Sequence, residues 1–401
     1  MKRRHDIDAL RAFAFALLIL YHWAMVYIQD WGYHVKSSYT TQAIEIPMLF
    51  VNRWRMDLIF LISGVATAFM MRSRAPGAFV RERAGRLMIP LLFGMAVVVP
   101  IQPYAQGVMN GLVEPGFLQF LGHYYTGYPW PKGAFDGWRE GVTWNHLWYL
   151  AYLFVYTMIL AMLGPRLRGD DVVNGAGTKS PLVRLRGVRL VLYPVVPLLL
   201  YTLTLQYRFP ETHNLVKDWY VHAVSFTMFL YGYWLGRDEA IWTELARIRK
   251  ATLGAALIVF ITYILLARTL NPDNPDFFGV MAARTMRNLY IWLAICTILG
   301  WGHALLNKPF KWLPFATEAV YPWYILHQSL IVLLAYWLIP LKVGPVIEPA
   351  LILVGTVAGC WALHVVVIRR SAFLRTVFGI PRRRRGSSSV QITGAPPEYS
   401  A

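Results

Sequence analysis

The stretch Leu10-Arg11-Ala12-Phe13-Ala14-Phe15-Ala16-Leu17-Leu18-Ile19-Leu20-Tyr21-His22 decides the class of this chain. It is an apolar run interrupted by two ionisable side chains. Charge inside a lipid-embedded segment is costly, and it usually marks a pathway or a reaction centre. At about 100° per residue, eleven steps bring the two side chains back to within about 20° of each other. At about 1.5 Å per residue they lie roughly 16 Å apart along the axis. Arg11 and His22 therefore share one face of a predicted helix, a cation near one membrane surface and an imidazole deep in the bilayer. Asp8, three residues before Arg11, is placed to pair with it. The plainer alternative is an anchoring arginine plus a histidine bonded to a neighbouring helix; the spacing favours function.

Composition extends the reading to the whole chain. Of 401 residues, 57% are hydrophobic and only 15% charged, where a soluble protein carries about 25% charge. Ten segments are apolar over roughly the length a bilayer needs: about 9–29, 56–71, 87–105, 147–164, 189–206, 219–236, 251–268, 287–303, 317–339 and 346–368. This predicts an all-α, polytopic integral membrane protein, with one transmembrane domain over 1–370 and a basic, disordered tail over 371–401. The net charge of +18 is distributed unevenly. With ten spans, and Arg11 counted inside the first, 27 of the 39 Lys and Arg fall on the side of the termini and 11 on the other, while Asp and Glu divide 10 to 11. Basic excess without acidic asymmetry is the positive-inside pattern, so both termini are expected in the cytoplasm. The charge is mostly topological, which argues against nucleic-acid binding; the Arg382-Arg383-Arg384-Arg385 run is expected to touch anionic lipid.

The remaining polar features are fewer. Cys296 and Cys360 fall inside spans and suggest neither a disulfide framework nor a metal cluster. No phosphate-cradling loop, paired metal-ligand histidines or nucleophile elbow appears. His327, with Tyr324 one turn earlier, lies near the middle of the ninth span, and is as well suited to helix packing as to catalysis. His146 opens the fourth span, facing an outer cavity or capping the entrance. Asp57, four residues after Arg53, reads most cheaply as an interfacial ion pair, and Ser63-Gly64 would let another helix approach closely. Arg72, Arg74, Arg81, Arg83 and Arg86 crowd the second inner stretch; topology alone accounts for them, and so does a pocket for a phosphorylated donor. The long outer loop, about 106–146, is rich in Tyr and Trp and is expected to form an interfacial belt, with stacking against sugar rings as the alternative. Gly169–Ser180 reads as a flexible linker.

Taken together these residues resemble the acyltransferase-3 family of integral membrane acyltransferases. Asp6-Ile7-Asp8-Ala9-Leu10-Arg11 followed by His22 resembles that family's opening span. Met56-Asp57-Leu58-Ile59-Phe60-Leu61-Ile62-Ser63-Gly64 resembles its second-span signature, and Arg83-Ala84-Gly85-Arg86-Leu87-Met88-Ile89-Pro90 its inner-loop arginine motif. His146-Leu147-Trp148-Tyr149-Leu150 and Tyr324-Ile325-Leu326-His327-Gln328 look closest to the glucan biosynthesis protein C-like subgroup, which succinylates periplasmic glucans. The resemblance implies a multi-pass protein of the bacterial inner membrane with no permanently bound cofactor. It implies acyl-CoA (succinyl-CoA or acetyl-CoA) as cytoplasmic co-substrate and a glycan hydroxyl as outer acceptor. His22 and Arg11 would be catalytic, Arg83 and Arg86 would hold CoA phosphates, and His327, Asp57, Tyr324 and His146 would serve the reaction centre or the acceptor. His22 would act as a general base or form an acyl-histidine. A transporter or flippase of a glycan or lipid would also use intramembrane Arg and His, though the chain shows no internal repeat or paired broken helices. A non-catalytic membrane scaffold is the other alternative.

Overall fold

The computed structural model describes residues 4–136, 142–168, 185–270 and 276–380. Each apolar segment is helical, and among the described residues the only β pairing is an isolated bridge between Ile28 and Thr41. The long helices are α1 (His5–Met25), α2 (Glu45–Arg72), α3 (Pro76–Phe93), α4 (Ile101–Met109), which continues α3, and α6 (Trp148–Arg168). Helix α5 (Phe117–Tyr125) lies in the long loop between α4 and α6. After these come α7 (Val188–Leu192), α8 (Val195–Thr204), α9 (Trp219–Leu235), α10 (Glu239–Thr269), α11 (Phe277–Leu306), α12 (Leu313–Leu338), α13 (Ile347–Ala362) and α14 (Ala372–Val377). Among the described residues, eight helical stretches are long and apolar enough to cross a membrane. The predicted fifth and sixth spans are shorter. Pro194, with no N–H to donate, separates α7 from α8, and α9 has 17 residues.

Burial sorts the helices into a centre and a rim. In α2, 72% of the apolar window is buried, against 28% in α10 and in α13, so α2 is enclosed by protein and the other two present their sides to lipid. Helix α9 meets α2 backbone to backbone. A Cβ on Gly64 would overlap the Phe229 carbonyl oxygen, and one on Gly232 would overlap that of Leu61. The small residue at Gly64 thus does what its neighbourhood predicted. Helix α1 packs along α12, and α10 and α11 form the largest helical hairpin.

Contacts fix which ends lie together. Arg4 bonds Asp6 and Glu239, His303 closes on Asp6 at 2.8 Å, and Arg72 reaches the Arg237 carbonyl. The start of α1 therefore shares one end, the basic end, with the end of α2, the start of α10 and the end of α11. At the opposite end Trp23 donates to the Pro349 carbonyl and Ser37 to the buried Glu348.

Two expectations change. The outer-loop aromatics fold into a cap rather than a belt: Phe120, Tyr124 and Trp130 are buried with Tyr104 and Val113 in a small core of their own, leaving Tyr125 and Tyr128 exposed. The short helix α5 has found a protein partner for its apolar face. Residues 372–380, assigned from sequence to the tail, form α14 and the turn after it. Val377, Phe378 and Ile380 are buried there, and the Phe378 ring lies 5.3 Å from that of Phe93. The stretches 169–184 and 381–401, holding the linker and the arginine run, lie outside the described residues.

Candidate active site

Three histidines from three helical segments converge. The His22 and His327 rings are 5.3 Å apart, as are those of His146 and His327. His327 Nδ1 lies 2.8 Å from the Tyr324 carbonyl and 3.0 Å from that of Trp323; both are acceptors, so Nδ1 carries the proton. Its Nε2 is left buried with no partner, as is Nδ1 of His22. His146 is fully engaged. Its Nε2 faces the Tyr324 and Ile325 carbonyls at 3.1 and 3.2 Å, its Nδ1 accepts from Gln102 at 3.2 Å, and its own carbonyl accepts from Tyr324 Oη at 2.5 Å. His146 and Tyr324 thus lock α6 to α12, whereas His22 and His327 keep a free nitrogen. Among the described residues, no three His, Cys, Asp or Glu side chains are arranged to hold a metal ion.

A change of helical pitch builds the support for this cluster. At the π-turn Gly94–Val98 the Val99 N–H bonds back to Gly94, and the Gln102 N–H bonds to Val99. The Val98 carbonyl is released from the helical ladder and accepts from Ser329 Oγ at 2.8 Å. Gln102, fully buried, then donates to Ser329 Oγ at 2.7 Å and accepts from Asn145 and Gln328, both at 3.1 Å. One amide side chain ties α4, α12 and the start of α6 together.

His22 and His146 open on a cavity of about 830 Å³ at the end opposite the termini, the aromatic end, which carries the cap around Phe120 and Tyr124. Tyr21, Arg55, Trp148, Tyr324 and Gln328 also line it, and the loop 211–217 borders it. Arg55 lies 3.6 Å over the Tyr21 ring. The protein walls around Glu211 act to raise its carboxyl, but His213, Arg55 and Arg53 outweigh them and hold it below the ordinary range. His34 folds in from the loop after α1 with Nδ1 2.7 Å from Gln106 Oε1. Burial depresses its imidazole below the ordinary range, against the pull of Gln106 and Asp136. Asp57 is buried in α2 but does not line this cavity, and no ion pair joins it to Arg53 among the described residues. Arg53 turns instead toward the Tyr263 ring, 5.6 Å away.

The arginines occupy the other half of the bundle. Arg11 pairs with Asp8 at 3.4 Å, as their spacing predicted, and keeps its Nε unbonded. Arg83 and Arg86 part company. Arg86 is 38% exposed, meets Glu82 at 3.5 Å, and lines an open basic-end cavity of about 1060 Å³ with Arg74, Arg81 and the turn after α14. Arg83 is buried and turns inward, Nη2 3.3 Å from Thr67 Oγ1. Thr67 donates to the Ser63 carbonyl, Ser63 Oγ lies 2.5 Å from Tyr149 Oη, and the Tyr149 and Tyr324 rings are 6.0 Å apart. A polar thread thus runs from Arg83 to the ring that borders the histidines.

Sequence reasoning missed several participants. Gln102 and Gln328 are amides in apolar helices, a signal as readable as His22. His34 and Glu211 lie in loops, where no periodicity marks a side chain that folds back into a cavity, and Arg55, inside α2, was read only as part of the stretch before the second span.

Residues 4–365 match the family model described as Acyltransferase domain, Acyl_transf_3. Similar relatives include Glucans biosynthesis protein C of Escherichia coli O6:K15:H31 (strain 536 / UPEC) and of Escherichia coli (strain K12). Each is 24% identical over 349 residues, covering 84% of this chain and 85% of the relative. No solved structure matches. Since the family match begins before Arg11 and ends beyond His327, it takes in both the histidine and the arginine clusters, and the chain belongs to the acyltransferase-3 family of membrane acyltransferases.

Proposed function

We propose that this protein, in the bacterial inner membrane with both termini cytoplasmic, moves an acyl group from cytoplasmic acyl-CoA to a hydroxyl of a cell-envelope glycan. Succinyl-CoA or acetyl-CoA is the donor, and the glycan enters the cavity at the aromatic end. The observation that carries this reading is the division of the bundle: a cavity lined by His22 and His146 on one side, and an arginine-lined cavity on the other. The relatives' name, Glucans biosynthesis protein C, supports a glucan as the acceptor.

In this reading Arg86, with Arg74 and Arg81, holds CoA phosphates through charge-assisted bonds. Arg83, Thr67, Ser63 and Tyr149 line the way inward. His22 takes the proton of the attacking hydroxyl as its oxygen bonds to the thioester carbonyl carbon. The C–S bond then breaks, and the CoA thiolate leaves with that proton. His327 packs its ring against that of His22, while His146 and Gln102 hold α6, α4 and α12 in register.

The test is incubation of purified protein with radiolabelled acyl-CoA and a glucan acceptor. Label is expected on the glucan, with free CoA released in equal amount. Label trapped on histidine before acceptor is added would make His22 the nucleophile. Glycan movement across vesicles without acylation would replace the reading with a transporter.

A further inference from the structure

Seven consecutive residues, Glu211 to Lys217, line the aromatic-end cavity although they belong to no helix. The loop they form is clasped. Asp218, fully buried, accepts from Thr212 N at 2.8 Å, Thr212 Oγ1 at 2.9 Å, His213 N at 2.8 Å and Tyr152 Oη at 2.9 Å. Those bonds fill the lone-pair directions of a carboxylate. Trp144 Nε1 donates to the His213 carbonyl at 3.0 Å, and His222 Nε2 to that of Leu215 at 2.8 Å. His213 stands at φ +55°, a left-handed conformation that a non-glycine residue adopts only when its surroundings impose it. The result of this imposed geometry is a flat pair: the His213 ring lies 4.3 Å from that of Trp148, at 20°.

What the loop offers the cavity is specific. The His213 ring is about two-fifths exposed, and Glu211, 60% exposed, sits 2.9 Å from its Nε2. A flat ring face edged by a hydrogen-bonding carboxylate suits a ligand with an apolar face and a hydroxyl rim, which is the make-up of a pyranose.

We infer that the loop 211–217, clasped by Asp218, is the acceptor-recognition element: His213 on Trp148 is the platform for a sugar ring and Glu211 accepts from its hydroxyls. Asp218 is a positioning residue that touches no substrate. The inference rests on the glycan-acceptor reading above and assigns it to named residues.

Calorimetric titration of the full-length protein with a panel of α- and β-linked gluco-oligosaccharides, without acyl donor, tests it. His213→Asn removes the ring but keeps a residue type that tolerates the left-handed backbone. His213→Asn and Glu211→Gln should each weaken sugar binding about tenfold or more, equivalent to about 1.4 kcal/mol, with CoA affinity unchanged. Asp218→Asn should raise the acceptor KM and leave the donor KM alone, a split that a purely structural role does not produce. If Asp218→Asn does not fold, the two exposed-site variants still decide the matter. Variants that bind sugar like the wild type would overturn the loop's role and leave acyl transfer standing. A wild-type protein that binds no member of the panel would overturn both.

Discussion

Around His327 the polar groups are sealed in and nearly all satisfied; around Arg86 they are open and share one carboxylate. Gln102 alone joins Ser329, Asn145, Gln328 and His146, and against that web the ring nitrogens of His22 and His327 and the Gln328 Oε1 stand without partners. At the basic end Arg74 and Arg86 both reach Glu82, each about a third exposed, beside a cavity open enough to admit a large polyanion. In the proposed reading the difference separates two jobs. Proton transfer needs fixed geometry to within fractions of an ångström, whereas phosphate capture needs charge that can adjust.

The comparison breaks most visibly at His22. His22→Ala should lower acyl transfer about 10²–10⁴-fold, with membrane insertion and thermal stability retained, since this side chain lines a cavity and its Nδ1 bonds nothing. Near-normal turnover in a stably inserted variant would remove His22 from the chemistry.

At the arginine end, Arg86→Gln should weaken CoA binding by about 10- to 150-fold, the effect of a lost charge-assisted contact. Arg86→Lys should recover part of it, because lysine keeps charge but not the bidentate fork. Arg83→Gln should instead cost stability, since its guanidinium is buried against α2. Equal CoA titrations for Arg86→Lys, Arg86→Gln and the wild type would reduce these arginines to topology signals.

The web itself should be sensitive to Gln102→Leu. Leucine matches the volume but orphans buried partners, at about 1–3 kcal/mol each. Lower thermal stability with a proportionate loss of activity is expected, and an unchanged unfolding temperature would show that the web is slack.

The smallest effect concerns pH. His34 has its imidazole depressed in the fold by burial, so on acidification the unfolded chain takes up the proton first, near about pH 6.5. Its contribution to stability is therefore present above that pH and declines as pH falls toward the lower folded value. His34→Gln should flatten the acid side of the stability profile; an identical profile would place the titration elsewhere.

Legibility followed periodicity. Arg11, His22, Tyr324 and His327 lie in long helices, where 3.6-residue geometry fixes which side chains share a face, and the Asp8–Arg11 pair and the close approach at Gly64 were readable for the same reason. What no spacing predicts is contact between helices far apart in sequence. His146 near His327, Arg83 turning inward while Arg86 faces out, and the cap formed around Tyr124 each depend on how α3, α6 and α12 pack. The π-turn at Gly94–Val98 had no sequence signal, yet it frees the carbonyl that anchors Ser329. Asp218 and its loop were silent because a buried carboxylate clasping loop amides has the composition of any helix start.

The central claim, that donor and acceptor meet from opposite ends of one bundle, is tested most directly in proteoliposomes of fixed orientation. Acyl-CoA is supplied only to the face carrying the termini and Arg86, and a glucan only to the face carrying the His22 cavity. The account predicts acylated glucan and CoA released on the donor side, both lost in His22→Ala. Acylation that occurs only when the two substrates share one side would contradict it.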